Sequence, residues 1–373
     1  MGSVGASSSK LFEPLTIGSM KLQHRMIMAP LTRFRADDSH VPLPFVSEYY
    51  QQRASVPGTL IISEATLISE SAGIYNNVPG IWNRDQVDAW CKITDAVHQK
   101  GSYIVLQLWT LGRVADAAAT KQKGIKLSAP SPIPVAEGAE TPEELTIAEI
   151  ESFVAEYTVA AKNAIEAGFD GVEIHAANGY LVDQFLQDVS NTRTDRYGGS
   201  IENRSRLGLE VTQAVVDAIG AERVGIRLSP FSTFQGMGMR DPIPQFTHFI
   251  HGLQALKLAY IHVVESRVSG NADVEPTHKI DFAVNAWDGT SPVLIAGGFT
   301  PESARNTVDE LFPDRDVAIV FGRYFISTPD LPFRVKHGID LEAYDRNTFY
   351  TAKAEEGYID YPFSKEFEQA YRN

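Results

Sequence analysis

The chain has 373 residues, 43% hydrophobic and 21% charged, with 33 Lys and Arg against 47 Asp and Glu for a net charge of −14. That length suits one α/β barrel with insertions, and the composition is ordinary for a globular protein. The acidic balance argues against nucleic acid or an anionic membrane as a partner, the single cysteine, Cys91, excludes an intrachain disulfide, and no apolar run is long enough to span a membrane.

Met1–Lys10 is rich in Gly and Ser and lacks the apolar centre of a signal peptide. Ala6 stands where N-myristoylation at Gly2 needs Ser or Thr. Residues 1–10 are therefore expected to be a disordered tail, residues 11–373 a single domain, and the compartment the reducing cytoplasm. Leu15–Leu22 reads as a hairpin turning at Gly18-Ser19. Eight short apolar runs follow as strands: Met26–Ala29, Leu60–Ser63, Tyr103–Leu108, Gly171–His175, Val224–Leu228, Tyr260–Val264, Val293–Ala296 and Val317–Phe321. Between them the pattern predicts helices over Pro44–Arg53, Arg84–Lys100, Ile147–Ala167, Ile201–Ile219, Gln245–Leu256, Asp281–Trp287, Pro301–Glu310 and Pro329–Lys336. In the third, Ile147, Ile150, Val154, Tyr157, Ala161, Ala164 and Ile165 recur at spacings of three and four. Thr146 with Glu149 forms a capping box there, and Gly168 stops the helix. Cys91 lies in the helical pattern of Val87, Trp90 and Ile93, where a buried structural thiol is expected. Strand and helix alternating eight times predict a (β/α)8 TIM barrel. No Gly-x-Gly-x-x-Gly follows a strand, which argues against a Rossmann domain. Gly112–Leu145 is long and rich in Ala, Pro, Ser and Gly, and is expected to be a lid over the barrel top. The tail 340–373 carries Tyr344, Phe349, Tyr350, Tyr358, Tyr361 and Phe363, which can pack it onto the barrel.

A barrel's chemistry sits at the C-terminal strand ends. The stretch Gly168–Tyr180 leaves its strand with His175, Asn178 and Tyr180. Two hydrogen-bond donors three residues apart suit a carbonyl oxygen that gains charge, and a phenol is a possible proton donor. A satisfied structural histidine is the competing reading of His175. Alternation along strands points Gln107, His175 and Arg227 inward, where each needs a partner. They suit either the polar edge of a flat heterocycle or an internal ion pair of Arg227 with Glu173. Gly297-Gly298 and Gly322-Arg323 follow the seventh and eighth strands, the usual phosphate seat of a barrel. Together these features suggest flavin mononucleotide.

The chain resembles the Old Yellow Enzyme family of flavin-dependent ene-reductases, in its fungal, ergot-alkaloid-type branch. The resemblance rests on Met28-Ala29-Pro30-Leu31-Thr32-Arg33, Gln107-Leu108-Trp109, Gly168–Phe185, Asn191-x-Arg-x-Asp195-x-Tyr-Gly-Gly-Ser200-x-Glu-Asn-Arg204, Arg227-Leu228-Ser229-Pro230 and Phe321-Gly322-Arg323 with Pro329-Asp330-Leu331. It covers Leu11 to Phe363. It implies tightly but non-covalently bound FMN, with NADPH as hydride donor and an α,β-unsaturated aldehyde or ketone as substrate. Pro30, Leu31 and Thr32 would line the flavin ring, Ala65 and Gln107 its pyrimidine side, and Arg227 its N1 and C2 carbonyl. Gly297, Gly298, Gly322 and Arg323 would hold the phosphate, with Phe325 packed nearby. His175 and Asn178 would bind the substrate oxygen and Tyr180 would protonate carbon, while Trp109, Phe234 and Tyr350 shape the substrate side. A monomer or homodimer is implied. Ser327-Thr328 departs from the Ala-Asn usual before Pro329-Asp330. Some ergot-type relatives lose the phenol and isomerise. Tyr180 is retained here, which favours net reduction over a redox-neutral isomerase. A lysine-dependent or metal-dependent lyase or hydrolase is disfavoured, since the strands carry no Lys and their ends no His-x-His or carboxylate cluster.

Overall fold

Eight parallel strands close into a barrel: β1 Met26–Met28, β2 Leu60–Ile62, β3 Tyr103–Trp109, β4 Gly171–Ala176, β5 Val224–Leu228, β6 Tyr260–Val264, β7 Val293–Ala296 and β8 Val317–Phe321. The structure is a computed structural model that describes residues 9–266, 268–269, 272–273 and 279–371. Each strand pairs with its successor, and β8 returns to β1 with Ile319 opposite Met26. The expected TIM barrel is present, with strand bounds within a residue of those read from sequence. Residues 1–8 of the expected tail lie outside the described residues. Lys10, placed in that tail by sequence, instead opens a short 3-10 turn, Lys10–Phe12, whose N–H donates to Asp309.

Helices wrap the outside because alternate strand residues are apolar on that face. Leu106, Leu108, Val172, Ile174, Ile226 and Ile261 all join the layer between strands and helices. The capping box at Thr146 forms as its sequence implies, an arrangement worth about 1 kcal/mol. Some helix boundaries shift. The fifth expected helix, read as Gln245–Leu256, runs Pro242–Gln254, since proline is tolerated in a first turn. Pro301–Asn306 continues as a π-turn through Leu311. The last expected helix is Leu331–His337, and a separate short helix that the pattern did not predict, Arg323–Ser327, precedes it. Cys91 is half-buried rather than buried, with Sγ 3.9 Å from the Glu166 carbonyl.

The hairpin Leu15–Ile17/Met20–Leu22 plugs the barrel's lower end. Its inward side chains Leu15, Ile17, Met20 and Leu22 pack with Ile27, Leu60, Ile62, Leu294 and Val320 of the interior. Each contributes roughly 1.5–3 kcal/mol by burial. Gly18 turns at φ 55°, and a Cβ there would meet the Glu222 carbonyl oxygen at 1.9 Å, so no other residue fits. The interior is thus apolar on the β1, β2, β7 and β8 side. On the β3–β6 side it is polar, with Gln107, Glu173, His175, Arg227 and His262.

Residues 112–145 are not a bare loop. They hold a 3-10 turn, a helix Ala117–Gln122, and a parallel strand pair joining Ser128 to Glu143 and Ala129 to Glu144. The Arg113 guanidinium ties this segment to the loop after β5 through the Gln235 and Gly236 carbonyls, at 3.1 and 3.2 Å. The tail is fastened by buried arginines. Arg33 donates to the carbonyls of Phe349 (2.9 Å) and Gly357 (2.7 Å). Arg35 donates to those of Ala354 (2.8 Å) and Thr348 (3.1 Å), and Arg53 to that of Tyr358 (3.1 Å). The Tyr358 ring stacks on Tyr49 at 3.9 Å. Ser327 and Thr328, the departure noted above, hold the tail's start: Ser327 Oγ donates to the Glu342 carbonyl (2.8 Å) and Thr328 Oγ1 accepts from its N–H (3.1 Å).

Candidate functional site

A cavity of about 610 Å³ opens at the C-terminal strand ends. It is lined by all but one of the residues singled out from sequence. Pro30, Leu31 and Thr32 follow β1, Ala65 follows β2, and Gln107 and Trp109 end β3. His175, Asn178 and Tyr180 follow from β4, Arg227 from β5 and Phe234 from the loop after it. Gly297 and Gly298 lie past β7, Gly322 and Arg323 past β8, and Tyr350 comes from the tail. The exception is Phe325. In the helix Arg323–Ser327 its neighbours Tyr324 and Ile326 face the cavity, while Phe325 turns away, fully buried in the core. No residue of 112–145 lines the cavity; Phe34, Tyr75, Phe234, Phe349 and Tyr350 supply aromatic walls instead. Tyr75 and Phe349 carry no motif that sequence reading could have used. Only the turns that bring them there identify them.

Chain register builds the polar half. Across β3, β4, β5 and β6, Gln107, Glu173, Gly225 and Tyr260 are paired in one layer. His175, Arg227 and His262 form the next layer toward the mouth. Paired residues in a parallel sheet share a face, so one inward residue brings its neighbours with it. The alternative reading, an internal ion pair of Arg227 with Glu173, does not form as a contact. Gln107 Nε2 donates to Glu173 Oε1 at 2.8 Å, and His262 Nδ1 lies 2.9 Å from Oε2. His262, on a strand 89 residues away in sequence, went unsuspected because a lone histidine carries no signal by itself.

Burial, with Arg227 and His262 beside it, holds His175 well below the ordinary imidazole value. It is therefore neutral near pH 7 and has one N–H to give. Its Nδ1, the Trp109 Nε1 and the Arg227 Nε are buried with no hydrogen-bond partner in the protein. Such orphans are rare and expensive, and these three belong to one cavity. Asn178 takes a left-handed φ of 58°, which asparagine tolerates. Its N–H donates to Ser229 Oγ (2.7 Å) and its carbonyl accepts from Gln235 Nε2 (2.8 Å), so its direction is fixed. The next residue, Gly179, donates its N–H to Asp183 Oδ2 at 2.8 Å. Burial pushes the Asp183 carboxyl up to about 7.

Tyr180 stands edge-on between Trp109 and His175, with ring centroids 4.9 and 4.8 Å away. Burial first, then the nearby Tyr75, pushes its phenol above the ordinary value of 10, so it holds its proton across the physiological range. On the far side of the cavity, a Cβ built on Gly322 would find Leu31 Cδ2 no nearer than 3.7 Å. There the backbone is bare to the cavity, next to the Arg323 guanidinium. A neutral donor pair and a phenol on one side, amide and guanidinium on the floor, and glycines with arginine opposite fit a planar heterocycle carrying a phosphate.

Comparison with known proteins agrees with this chemistry. A profile of the NADH:flavin oxidoreductase / NADH oxidase family matches residues 10–342. The chanoclavine-I aldehyde reductase fgaOx3 of Penicillium roqueforti is 55% identical over 363 residues, covering 97% of this chain and 98% of that protein. A protein of Epichloe festucae var. lolii described as probable inactive reductase easA is 52% identical over 368 residues, 97% of each chain. The crystal structure of the Old Yellow Enzyme from Pichia sp. AKU4542 superposes with a TM-score of 0.90 at 39% identity, covering 96% of this chain and 94% of that one.

Proposed function

We propose, from the premise that this chain belongs to the NADH:flavin oxidoreductase / NADH oxidase family, that it is an NADPH-dependent reductase of the C=C bond of α,β-unsaturated aldehydes or ketones. Its cofactor is FMN, with NAD(P)H as hydride donor. FMN supplies the hydride at its N5 atom. The chain's residues do the rest. Pro30, Leu31, Thr32 and Ala65 line the ring, Gln107 and Arg227 meet its pyrimidine edge, and Gly297, Gly298, Gly322 and Arg323 hold the phosphate. His175 and Asn178 donate hydrogen bonds to the substrate oxygen and draw electron density from the alkene. Because His175 is neutral, it stabilises the developing oxyanion by a hydrogen bond rather than by a full charge. Tyr180 gives its proton to the α-carbon. Trp109, Phe234 and Tyr350 bound the substrate, and similarity to the chanoclavine-I aldehyde reductase of Penicillium roqueforti supports an aldehyde.

The observation that carries this reading is the position of Tyr180: a protonated phenol within one ring's width of His175, in the cavity that Arg227 and Gln107 floor. The test is anaerobic titration of the yellow protein with NADPH, followed by an unsaturated aldehyde. Bleaching, then recovery of colour with a product two hydrogens heavier, is the expected result. Bleaching that recovers only with oxygen, or a product of unchanged mass, would turn the assignment toward a redox-neutral isomerase.

A further inference from the structure

We propose that Glu173 is a positioning residue that sets the charge and hydrogen-bond polarity of the cavity floor and thereby tunes the reduction potential of bound FMN. The proposal rests on the reading that Gln107 and Arg227 meet the pyrimidine edge. Glu173 itself is fully buried one layer below His175.

Three observations carry it. The first is that both carboxylate oxygens are committed, Oε1 to Gln107 Nε2 and Oε2 to His262 Nδ1. A carboxylate only accepts, so Gln107 must turn its NH2 toward Glu173. Its carbonyl oxygen is then what the amide offers to the cavity. His262, fully buried, must carry its proton on Nδ1, and its Nε2 is buried with no partner in the protein.

The second is the shielding of the pair. Glu173 is in register with Gly225, and a Cβ at Gly225 would meet the Tyr260 ring at 2.2 Å. The Tyr260 ring thus fills the space a side chain would need. The groups that face Glu173 are Gln107, His262, Arg227, His175 and Tyr260. Although burial alone would raise its pKa, His262, Arg227 and Gln107 hold it below the ordinary value, so it is an anion.

The third is energetic. Replacing a buried ionic cluster by apolar side chains of similar volume is commonly neutral or stabilising, so burial of this one is weak evidence of a stability role. Its effect is electrostatic. Arg227 brings a full positive charge to the floor, and Glu173 behind it offsets that charge while leaving the Arg227 Nε without a protein partner. Reduced FMN is more negative than oxidised FMN. A carboxylate beneath the floor therefore restrains reduction, and an uncovered Arg227 would promote it.

Redox titration of the FMN-loaded enzyme tests this. Glu173→Gln keeps the shape, removes the charge, and frees the Gln107 amide to turn. The ratio of reduced-FMN to oxidised-FMN affinity should rise about tenfold at an effective dielectric of about 20, which is about 30 mV more positive for a two-electron couple. An unchanged potential with stoichiometric FMN overturns the proposal. A second pair guards against misfolding of that variant. His262→Gln retains a donor to the carboxylate and should keep the native potential. His262→Leu removes the donor and raises the affinity of Glu173 for a proton, so as pH is lowered its potential should depart toward that of Glu173→Gln at a higher pH than in His262→Gln. The same pH dependence of the potential in the two His262 variants overturns the proposal. Failure of the native protein to hold FMN would overturn the site assignment and this inference together, and that is seen before any variant is made.

Discussion

At the residue scale, the site separates two tasks between neighbours. Tyr180→Phe removes the proton donor but not the hydride path. Alkene reduction should slow by about 10²–10⁴, with reduction of the flavin by NADPH nearly unchanged. Stopped-flow measurement of the two half-reactions checks this, and equal slowing of both would remove Tyr180 from its role. Loss of either oxyanion donor, His175→Ala or Asn178→Ala, should slow alkene reduction by about 10²–10³. His175, Asn178 and Tyr180 were legible because they are contiguous, and Gln107 and Arg227 because strand alternation points them inward. The Glu173 environment was not legible. The partner that displaces Arg227 comes from another strand, and only register aligns them. Phe325, expected to pack near the phosphate, lies in the core between two cavity-lining neighbours, since one step around a helical turn exchanges cavity for core.

At the scale of elements, the tail and the loop after β1 behave as one unit. The loop supplies Pro30, Leu31 and Thr32 to the cavity, and its next residues, Arg33 and Arg35, hold the tail that supplies Phe349 and Tyr350. Arg35→Ala takes the donor from the carbonyls of Ala354, Thr348 and Glu356, and one of two arginine donors from that of Phe349. It should destabilise the protein by about 2–4 kcal/mol in urea unfolding and speed tryptic cleavage at Lys353. KM for a bulky enal should rise more than kcat falls. Sequence pattern found the eight strands because each is a short buried apolar run. It read the long segment after β3 as a lid, yet no residue of 112–145 lines the cavity. That segment is pinned by Arg113 to backbone carbonyls of another loop, and such contacts leave no mark in hydrophobic spacing.

At the scale of the whole molecule, two buried carboxyls make stability depend on pH. Burial raises Glu64 and Asp183 to about 7. Unfolded, both titrate near 4. Between about pH 4 and 7 the native state therefore holds more protons than the unfolded chain, and stability falls as pH rises through that window. Buried His24, His175 and His262, held below the ordinary imidazole value, act in the opposite sense below about pH 6.5, so the carboxyl contribution is read as a difference between variants. Relative to the native chain, Asp183→Asn should gain in melting temperature on going from pH 5.5 to 8, and an identical pH dependence in the two proteins would refute this account. FMN adds to stability by mass action, so Arg323→Ala should reduce the rise in melting temperature on adding FMN. An unchanged rise would place the phosphate elsewhere.

The arginine fastening of the tail has a consequence for how such a pocket can change. Arg33, Arg35 and Arg53 grip main-chain carbonyl oxygens, which every residue type carries. Those bonds are blind to side-chain identity, while the Tyr358 and Phe349 rings, overlain by the Arg33 guanidinium, belong to the hold itself. Where a position is secured through backbone, what the wall presents to a substrate is separable from what keeps it in place. A half-exposed position such as Tyr350 can be exchanged for another shape while the anchoring stays intact. Selectivity can drift there, one substitution at a time, on a scaffold that does not register the change.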